Sequence, residues 1–217
     1  MRPRFTRRAA AIVLAATALV ASLTACRVEQ GAAVFVGDVR ITEEQVDQYV
    51  DSLPPRLEVP PVGFRALTVD ALAVVELGRQ VAASEHLEPN DSDGNFMEYY
   101  WTRQGLPADD QFVALISEAE SYRAMLVKGT TQADPTDTDV AETLELVTRT
   151  SGAVVDEAFV RSLLTSDTGR QVVGQRHRLA ELVDEYDITA NPRYGDTFIV
   201  VARDNQFQPL TTVPLPN

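Results

Sequence analysis

The chain has 217 residues, of which 45% are hydrophobic, and its 19 Lys and Arg residues are outnumbered by 32 Asp and Glu residues, which gives a formal net charge of −13. This hydrophobic content is typical of a folded chain and excludes general disorder. The acidic balance, without a basic stripe, argues against binding to the phosphate backbone of nucleic acids. A single cysteine excludes an intramolecular disulfide.

The start of the chain has the organisation of a secretory signal peptide. Four arginines lie within residues 1–8, and residues 9–25 form an uncharged run of 17 residues with a small-residue end. A run of this length is also at the short limit for crossing a bilayer, so taken alone it leaves a transmembrane anchor possible. The pair Arg7-Arg8 suggests twin-arginine export, but no large apolar residue follows it closely, so ordinary secretion is expected.

The only cysteine, Cys26, comes directly after this run. The tetrapeptide Leu23-Thr24-Ala25-Cys26 matches the lipobox of bacterial lipoproteins. This resemblance implies cleavage between Ala25 and Cys26, a thioether-linked diacylglycerol on Cys26, and usually acylation of the new amino terminus. The alternative for a lone cysteine is a small buried hydrophobic side chain.

Two or three acyl chains would anchor the protein stably, whereas one chain binds a membrane only marginally. We therefore expect residues 1–25 to be a signal peptide and residues 26–217 to be a single mature domain on the extracytoplasmic face of the cell membrane. That mature chain has 15 basic and 32 acidic residues, a net charge of −17. Anionic headgroups would repel it, so we expect the domain to stand off the bilayer on its lipid.

Apolar spacing predicts that the mature chain is mostly helical. Apolar residues recur at intervals of three and four positions, and acidic residues or Pro mark several helix starts and stops. A polar, punctuated segment at residues 129–138 predicts a linker or elbow. The predicted helices cover residues 42–53, 65–86, 95–104, 109–127, a segment beginning at 136, 155–164 and 169–186.

Strands are predicted at both ends of the mature chain. Residues 34–36 and 39–41 form a hairpin candidate around Gly37-Asp38, and residues 197–201 form a closing strand before a turn at Asp204-Asn205. A natural closure pairs the last strand with the first hairpin and brings the two ends of the mature chain together. The predicted fold class is therefore mostly α, with a small sheet from the terminal strands.

No catalytic or metal-binding constellation is recognisable. His86 and His177 are the only histidines, and neither lies in a cluster with ligand spacing. Asp91, Asp93 and Asn95 alternate as in a calcium loop, but the sixth position from Asp91 is not the required Gly, so a helix-entry loop is expected. We expect no metal, no cofactor and no enzymatic activity.

The richest aromatic stretch is FMEYYW, residues 96–101. Core packing is the ordinary role for such side chains. If part of the stretch faces solvent, it could instead accept apolar segments of another protein. Phe96, Tyr100 and Trp101 are the candidate contacts.

The stretch from Gly31 to Leu53, which contains AAVFVG and ITEEQV, resembles the start of the SurA N-terminal chaperone domain that PrsA-type foldases share. The long apolar helix after it and the segments YRAMLV, ADPTDTDV and NPRYGDTFIV are similar in order to the layout of that family. Family members that isomerise prolines insert a parvulin domain with active-site histidines, and this chain has no counterpart to it. The resemblance therefore implies a chaperone-like holding domain without the isomerase.

Two functional hypotheses follow. The first is a lipid-anchored chaperone that holds newly exported polypeptides in a groove between helices. The second is a lipoprotein that docks one specific envelope partner through a fixed patch. Neither hypothesis includes catalysis.

Overall fold

The computed structural model of this chain describes residues 31–55, 57, 63–89, 91–151, 154–194, 197–203 and 209–216. These residues form seven α-helices and five strands, which confirms a mostly helical fold with small sheets. Each predicted helix is present, with its ends within four residues of the predicted positions. The predicted turn at Asp204-Asn205 lies outside the described residues.

The elements follow one another as a strand pair, seven helices and three strands. The helices are α1 (Glu43–Val50), α2 (Gly63–Glu85), α3 (Asp91–Arg103), α4 (Gln111–Leu126), α5 (Asp137–Ser151), α6 (Glu157–Leu164) and α7 (Asp167–Glu185). The strands are β1 (Ala32–Val36), β2 (Val39–Thr42), β3 (Ile188–Ala190), β4 (Phe198–Arg203) and β5 (Pro209–Pro214).

The predicted β1–β2 hairpin is present at the start of the fold. Gly37 turns the chain with a φ of +56°, which glycine adopts without a steric penalty, and Val36 lies opposite Val39. Thr42 then caps α1, because its hydroxyl accepts the Gln45 N–H at 3.1 Å while the Gln45 side chain accepts the Thr42 N–H at 2.8 Å. This reciprocal cap starts α1 immediately after β2.

Helix α2 is buried on most of its circumference, as its apolar residues predict. It approaches α4 closely at Gly78, where an added Cβ would lie 2.4 Å from the Tyr122 ring. Near the start of α2, Phe64 packs edge-on against Phe112 of α4, with ring centroids 5.7 Å apart. The main hydrophobic core therefore lies where α2 and α4 cross, under the first hairpin.

Helix α3 begins at Asp91, four residues before the predicted start. The segment for which a helix-entry loop was expected is therefore already part of the helix. Gly94 permits a tight crossing with α4, because an added Cβ would lie 2.4 Å from the Ser121 hydroxyl oxygen. Gly94 therefore lies inside α3, at its contact with α4.

A second, smaller core lies between α5, α6 and the first half of α7. It consists of Val140, Val160, Leu164 and Val173. The second half of α7 belongs to the main core through Leu179, Leu182 and Val183. One long helix therefore contributes to both cores.

The sheet pairing differs from the predicted closure. The strand that pairs with β1 is β3, which was not predicted, and the order of that sheet is β2-β1-β3. Strand β4, the predicted closing strand, instead forms a separate antiparallel pair with β5. A run of three residues after a helix has too little periodicity to be recognised as a strand, so only the pairing partner identifies β3.

The two ends of the described chain nevertheless meet, as predicted. The side-chain amide of Asn191 donates to the Ala32 carbonyl at 2.7 Å, and its backbone N–H donates to Ala33 at 2.9 Å. The neighbouring Ala190 N–H donates to the Pro216 carbonyl at 2.7 Å. The buried residues Ala190 and Asn191 therefore hydrogen-bond to residues near both ends of the described chain.

A buried ion pair attaches β4 to the helices. Asp70 of α2 accepts the Val200 N–H at 3.0 Å and lies 2.9 Å from an Arg123 guanidinium nitrogen. Arg123 of α4 also donates to the Val200 carbonyl and, at 3.1 Å, to Glu120. The ion pair thus hydrogen-bonds both the backbone N–H and the backbone carbonyl of Val200, which is buried.

Candidate functional site

The structure separates the sequence-predicted site residues. Ala25 and Cys26, the predicted cleavage and lipidation site, lie outside the described residues. The three aromatic candidates Phe96, Tyr100 and Trp101 all lie on α3, but at different depths.

Trp101 is a core residue with 3% of its surface exposed. Its ring lies 5.2 Å from Phe112, 6.2 Å from Phe64 and 5.3 Å from Tyr100, in tilted or edge-to-face contacts. Tyr100 is half-buried beside it. The surface available to a partner on this helix therefore depends on Phe96 and its outward neighbours.

Phe96 and Tyr99 form an exposed aromatic pair on the outer face of α3, which we call the α3 patch. Phe96 is 62% exposed and Tyr99 is 57% exposed. Arg103, one turn after Tyr99, donates to the phenol oxygen at 3.1 Å and lies 5.7 Å from the ring centroid. Residues three and four apart share a helix face, which explains why these side chains point away from Trp101.

A second exposed apolar pair lies on α6, and the sequence analysis did not predict it. Phe159 is 61% exposed and Leu163 is 45% exposed, while Val160 and Leu164 of the same helix are buried. We call Phe159 and Leu163 the α6 patch. The sequence does contain a sign of this exposure. Phe159 and Leu163 are four residues apart, as are Val160 and Leu164, and the two pairs together make an apolar face wider than one neighbouring helix can cover.

The described residues bring one histidine into contact with a buried carboxylate. The His177 Nε2 atom lies 3.0 and 3.2 Å from the two carboxylate oxygens of Asp139. Asp139 also accepts from the Thr136 hydroxyl at 2.7 Å and from the Thr136 N–H at 2.8 Å. Sequence reasoning missed this contact because the two residues are 38 positions apart.

Arg176 connects the same carboxylate to β5. It forms ion pairs with Asp139 and Glu142, and its Nε donates to the Thr212 carbonyl at 3.0 Å. Burial acts to raise the pKa of Asp139, but the hydrogen bonds from Thr136 and His177 and the charge of Arg176 outweigh it, so the pKa is lowered. Asp139 is therefore held as a carboxylate.

A histidine oriented by a carboxylate can act as a general base when a nucleophile or substrate meets its other side. Here Asp139 is the partner that His177 contacts in the described part of the chain, and that carboxylate is committed to Thr136 and Arg176. Through these contacts the cluster connects α5, α7 and β5. The Asp70–Arg123 pair connects α2 and α4 to β4 in the same way.

The other polar candidates are dispersed. His86 follows α2 with a φ of +56°, a position at the end of a helix. Within the described ranges, no three His, Cys, Asp or Glu side chains are grouped closely enough to hold a metal ion. Every helix among those residues is too short or too polar to cross a bilayer.

The α3 patch and the α6 patch each present two large apolar side chains to solvent. Comparisons with models of known protein families, with curated proteins and with solved structures found no match to this chain.

Proposed function

We propose that this protein is a lipid-anchored, extracytoplasmic chaperone that holds exported polypeptides without catalysis. The observation that carries the proposal is the pair of exposed apolar patches on α3 and α6 of a strongly acidic chain. Exposed apolar clusters commonly bind other polypeptides. The net negative charge of the chain would keep a bound, unfolded client in solution.

Two small patches on different helices suit weak, sequence-tolerant binding. Each patch offers two large side chains on one helix face, which can accept an apolar residue of an extended client without requiring a fixed register. Several weak contacts along one client act together, since the second contact forms at a high effective concentration. The SurA-like order of strand and helices is consistent with this role.

A docking module for one envelope partner is the second candidate, and the geometry of Tyr99 favours it. The hydrogen bond from Arg103 holds the Tyr99 ring in place before any partner arrives. Tyr and Arg are frequent anchor residues at the centres of protein interfaces. A fixed anchor of this kind selects one partner more readily than many.

The lipid anchor is tested by changing Cys26 to serine in the full-length chain, expressed in a bacterium that processes lipoproteins. We expect Cys26→Ser to leave the protein uncleaved or to release it from the membrane, because a hydroxyl does not form the thioether. Membrane fractionation and the mass of the product measure both effects. Ser22→Ala, which leaves the lipobox tetrapeptide unchanged, is the control. A Cys26→Ser protein that is cleaved and as membrane-bound as before would contradict lipidation.

The holding function is tested by crosslinking in living cells, with a photo-reactive residue at Phe96 or at Phe159. We expect both positions to capture many unrelated exported polypeptides, since both are exposed apolar sites. Val39, an exposed apolar residue of the β1–β2 hairpin outside both patches, is the matched control position and should capture few. One stoichiometric product at Phe96, with none at Phe159, would support the docking module and reject the chaperone.

A further inference from the structure

Helix α6 is attached to the fold by only part of its apolar surface. Val160 and Leu164 are buried, with 1% and 4% of their surfaces exposed, whereas the two side chains of the α6 patch face solvent. The buried pair packs with Val140 of α5 and Val173 of α7 in the second, smaller core. Because apolar attachment scales with the area removed from water, half of the large apolar side chains of α6 contribute little to holding it.

The polar link between α6 and α5 adds little more. Arg161 of α6 lies 2.9 Å from Asp137 of α5, and these side chains are 41% and 93% exposed. An ion pair that is this exposed contributes little to stability and is weakened further by salt.

Other helices are held far more firmly. Among the described residues, α2 has eleven buried residues and α4 has nine, whereas α6 has two. Folded proteins open locally, and the segments with the fewest buried apolar side chains open at the lowest free energy. We therefore expect α6 to leave its place while α2 and α4 remain packed.

We propose that α6 is a displaceable lid, and that the cleft it leaves between α5 and α7 binds an amphipathic helix of an exported polypeptide in its place. The present occupant defines the fit. Helix α6 places two apolar side chains, four residues apart, against Val140 and Val173, and a client helix with the same spacing offers the same contacts. This inference rests on the proposed holding function and adds a cleft to the exposed patches.

Gly169 provides a way to shift the lid. The end of α6 lies tightly against the first turn of α7, because a Cβ added at Gly169 would lie 2.2 Å from the Leu163 carbonyl oxygen. Gly169→Ala should therefore push α6 away from α7, although alanine favours the helical conformation of α7 itself. Thr168→Ala is the matched control, since Thr168 is the exposed neighbour in the same turn.

Opening is measured by the labelling rate of a buried thiol under native conditions. The mature chain carries Cys26→Ser, so that a cysteine introduced at Val140 or at Val74 is its only thiol. Both valines are at most 1% exposed, but Val74 lies in α2. We expect Val140→Cys to react about 100-fold faster than Val74→Cys, because opening of α6 uncovers Val140 alone.

The glycine variant assigns this reaction to α6. Gly169→Ala should raise the labelling rate of Val140→Cys about tenfold and leave that of Val74→Cys unchanged, whereas Thr168→Ala should change neither rate. Equally slow labelling at both valines would show that α6 opens only when the whole chain unfolds, and would overturn the lid.

The cleft is tested with a fluorescent peptide that has the sequence of α6 and its caps, residues 156–166. Fluorescence anisotropy measures its binding to the mature chain. We expect Gly169→Ala to tighten binding about tenfold, because apparent affinity rises with the fraction of open molecules. A control peptide with serine at the positions of Val160 and Leu164 should bind at least tenfold more weakly. Saturating α6 peptide should also slow the labelling of Val140→Cys, because it fills the cleft.

Two results would reject the cleft as a client site. One is the absence of peptide binding, or binding that leaves the labelling of Val140→Cys unchanged. The other is a dimer of the mature chain that is lost on Val160→Ser with Leu164→Ser, which would assign the cleft to the α6 helix of a second copy.

Failure of this inference can be told apart from failure of the proposed function. If the peptide does not bind while a photo-reactive residue at Phe96 still captures many exported chains, the holding function stands without the cleft. If no exported chain is captured at Phe96 or at Phe159, the holding function is rejected, and an exported polypeptide is rejected as the occupant even where the peptide binds.

Discussion

Replacing Arg123 with methionine is expected to lower the free energy of unfolding by about 3–5 kcal/mol, because it leaves a buried charge without its partner. Asp70 would lose the guanidinium that lies 2.9 Å away, and the Val200 carbonyl would lose its donor. Burial acts to lower the pKa of Arg123, but the charges of Asp70 and Glu120 outweigh it, so the pKa is raised. The arginine is therefore protonated at neutral pH.

Urea denaturation of the mature chain, followed by circular dichroism, measures this loss. Arg79→Met is the matched control, since Arg79 and Glu118 also connect α2 to α4 with a 2.8 Å ion pair but are half exposed. A pair of this kind contributes about 0–1 kcal/mol. Equal effects of the two substitutions would contradict the claim that the buried pair holds β4 in place.

Replacing Asp139 with asparagine is expected to cost about 2–3 kcal/mol at neutral pH. The cost is smaller than for Arg123, because Arg176 keeps its ion pair with Glu142 and its hydrogen bond to Thr212. The loss also depends on pH. The folded-state pKa of Asp139 lies below the ordinary value near 4, so its stabilising contribution is present above about pH 4 and is lost as pH falls through the folded-state pKa.

The measurement compares wild type and Asp139→Asn in urea between pH 3 and pH 7. The difference in unfolding free energy should be constant above about pH 5 and should decrease below about pH 4. Asp137→Asn is the control, because Asp137 lies in the same first turn of α5 but is almost fully exposed, and it should change stability by less than about 1 kcal/mol. A pH-independent difference for Asp139→Asn would reject the buried carboxylate as its cause.

The buried ion pairs Asp70–Arg123 and Asp139–Arg176 show why part of the fold could not be predicted. Asp70 and Arg123 are 53 positions apart, and Asp139 and Arg176 are 37 apart. Each is a charged residue in a helix, where a solvated position is the ordinary expectation. Each pair is buried where at least one partner binds a strand residue, Val200 for Asp70 and Arg123 and Thr212 for Arg176. The position of these strands cannot be predicted from the neighbouring sequence.

The candidate surfaces were predicted only in part. The aromatic stretch on α3 stood out by composition, but helical geometry decided that Phe96 and Tyr99 face outward while Trp101 packs inside. On α6, Phe159 and Leu163 have the same spacing as the buried pair beside them, so spacing alone does not tell which pair the neighbouring helices cover.

The sequence by itself determined the helices and the first hairpin, because caps, turn residues and apolar periodicity act over a few neighbouring positions. Only the tertiary structure decided that β3 is the partner of β1, that two arginines attach the β4–β5 hairpin, and which apolar side chains stay exposed. Each of these depends on contacts between residues distant in the chain, whose free energy appears only when the elements pack together.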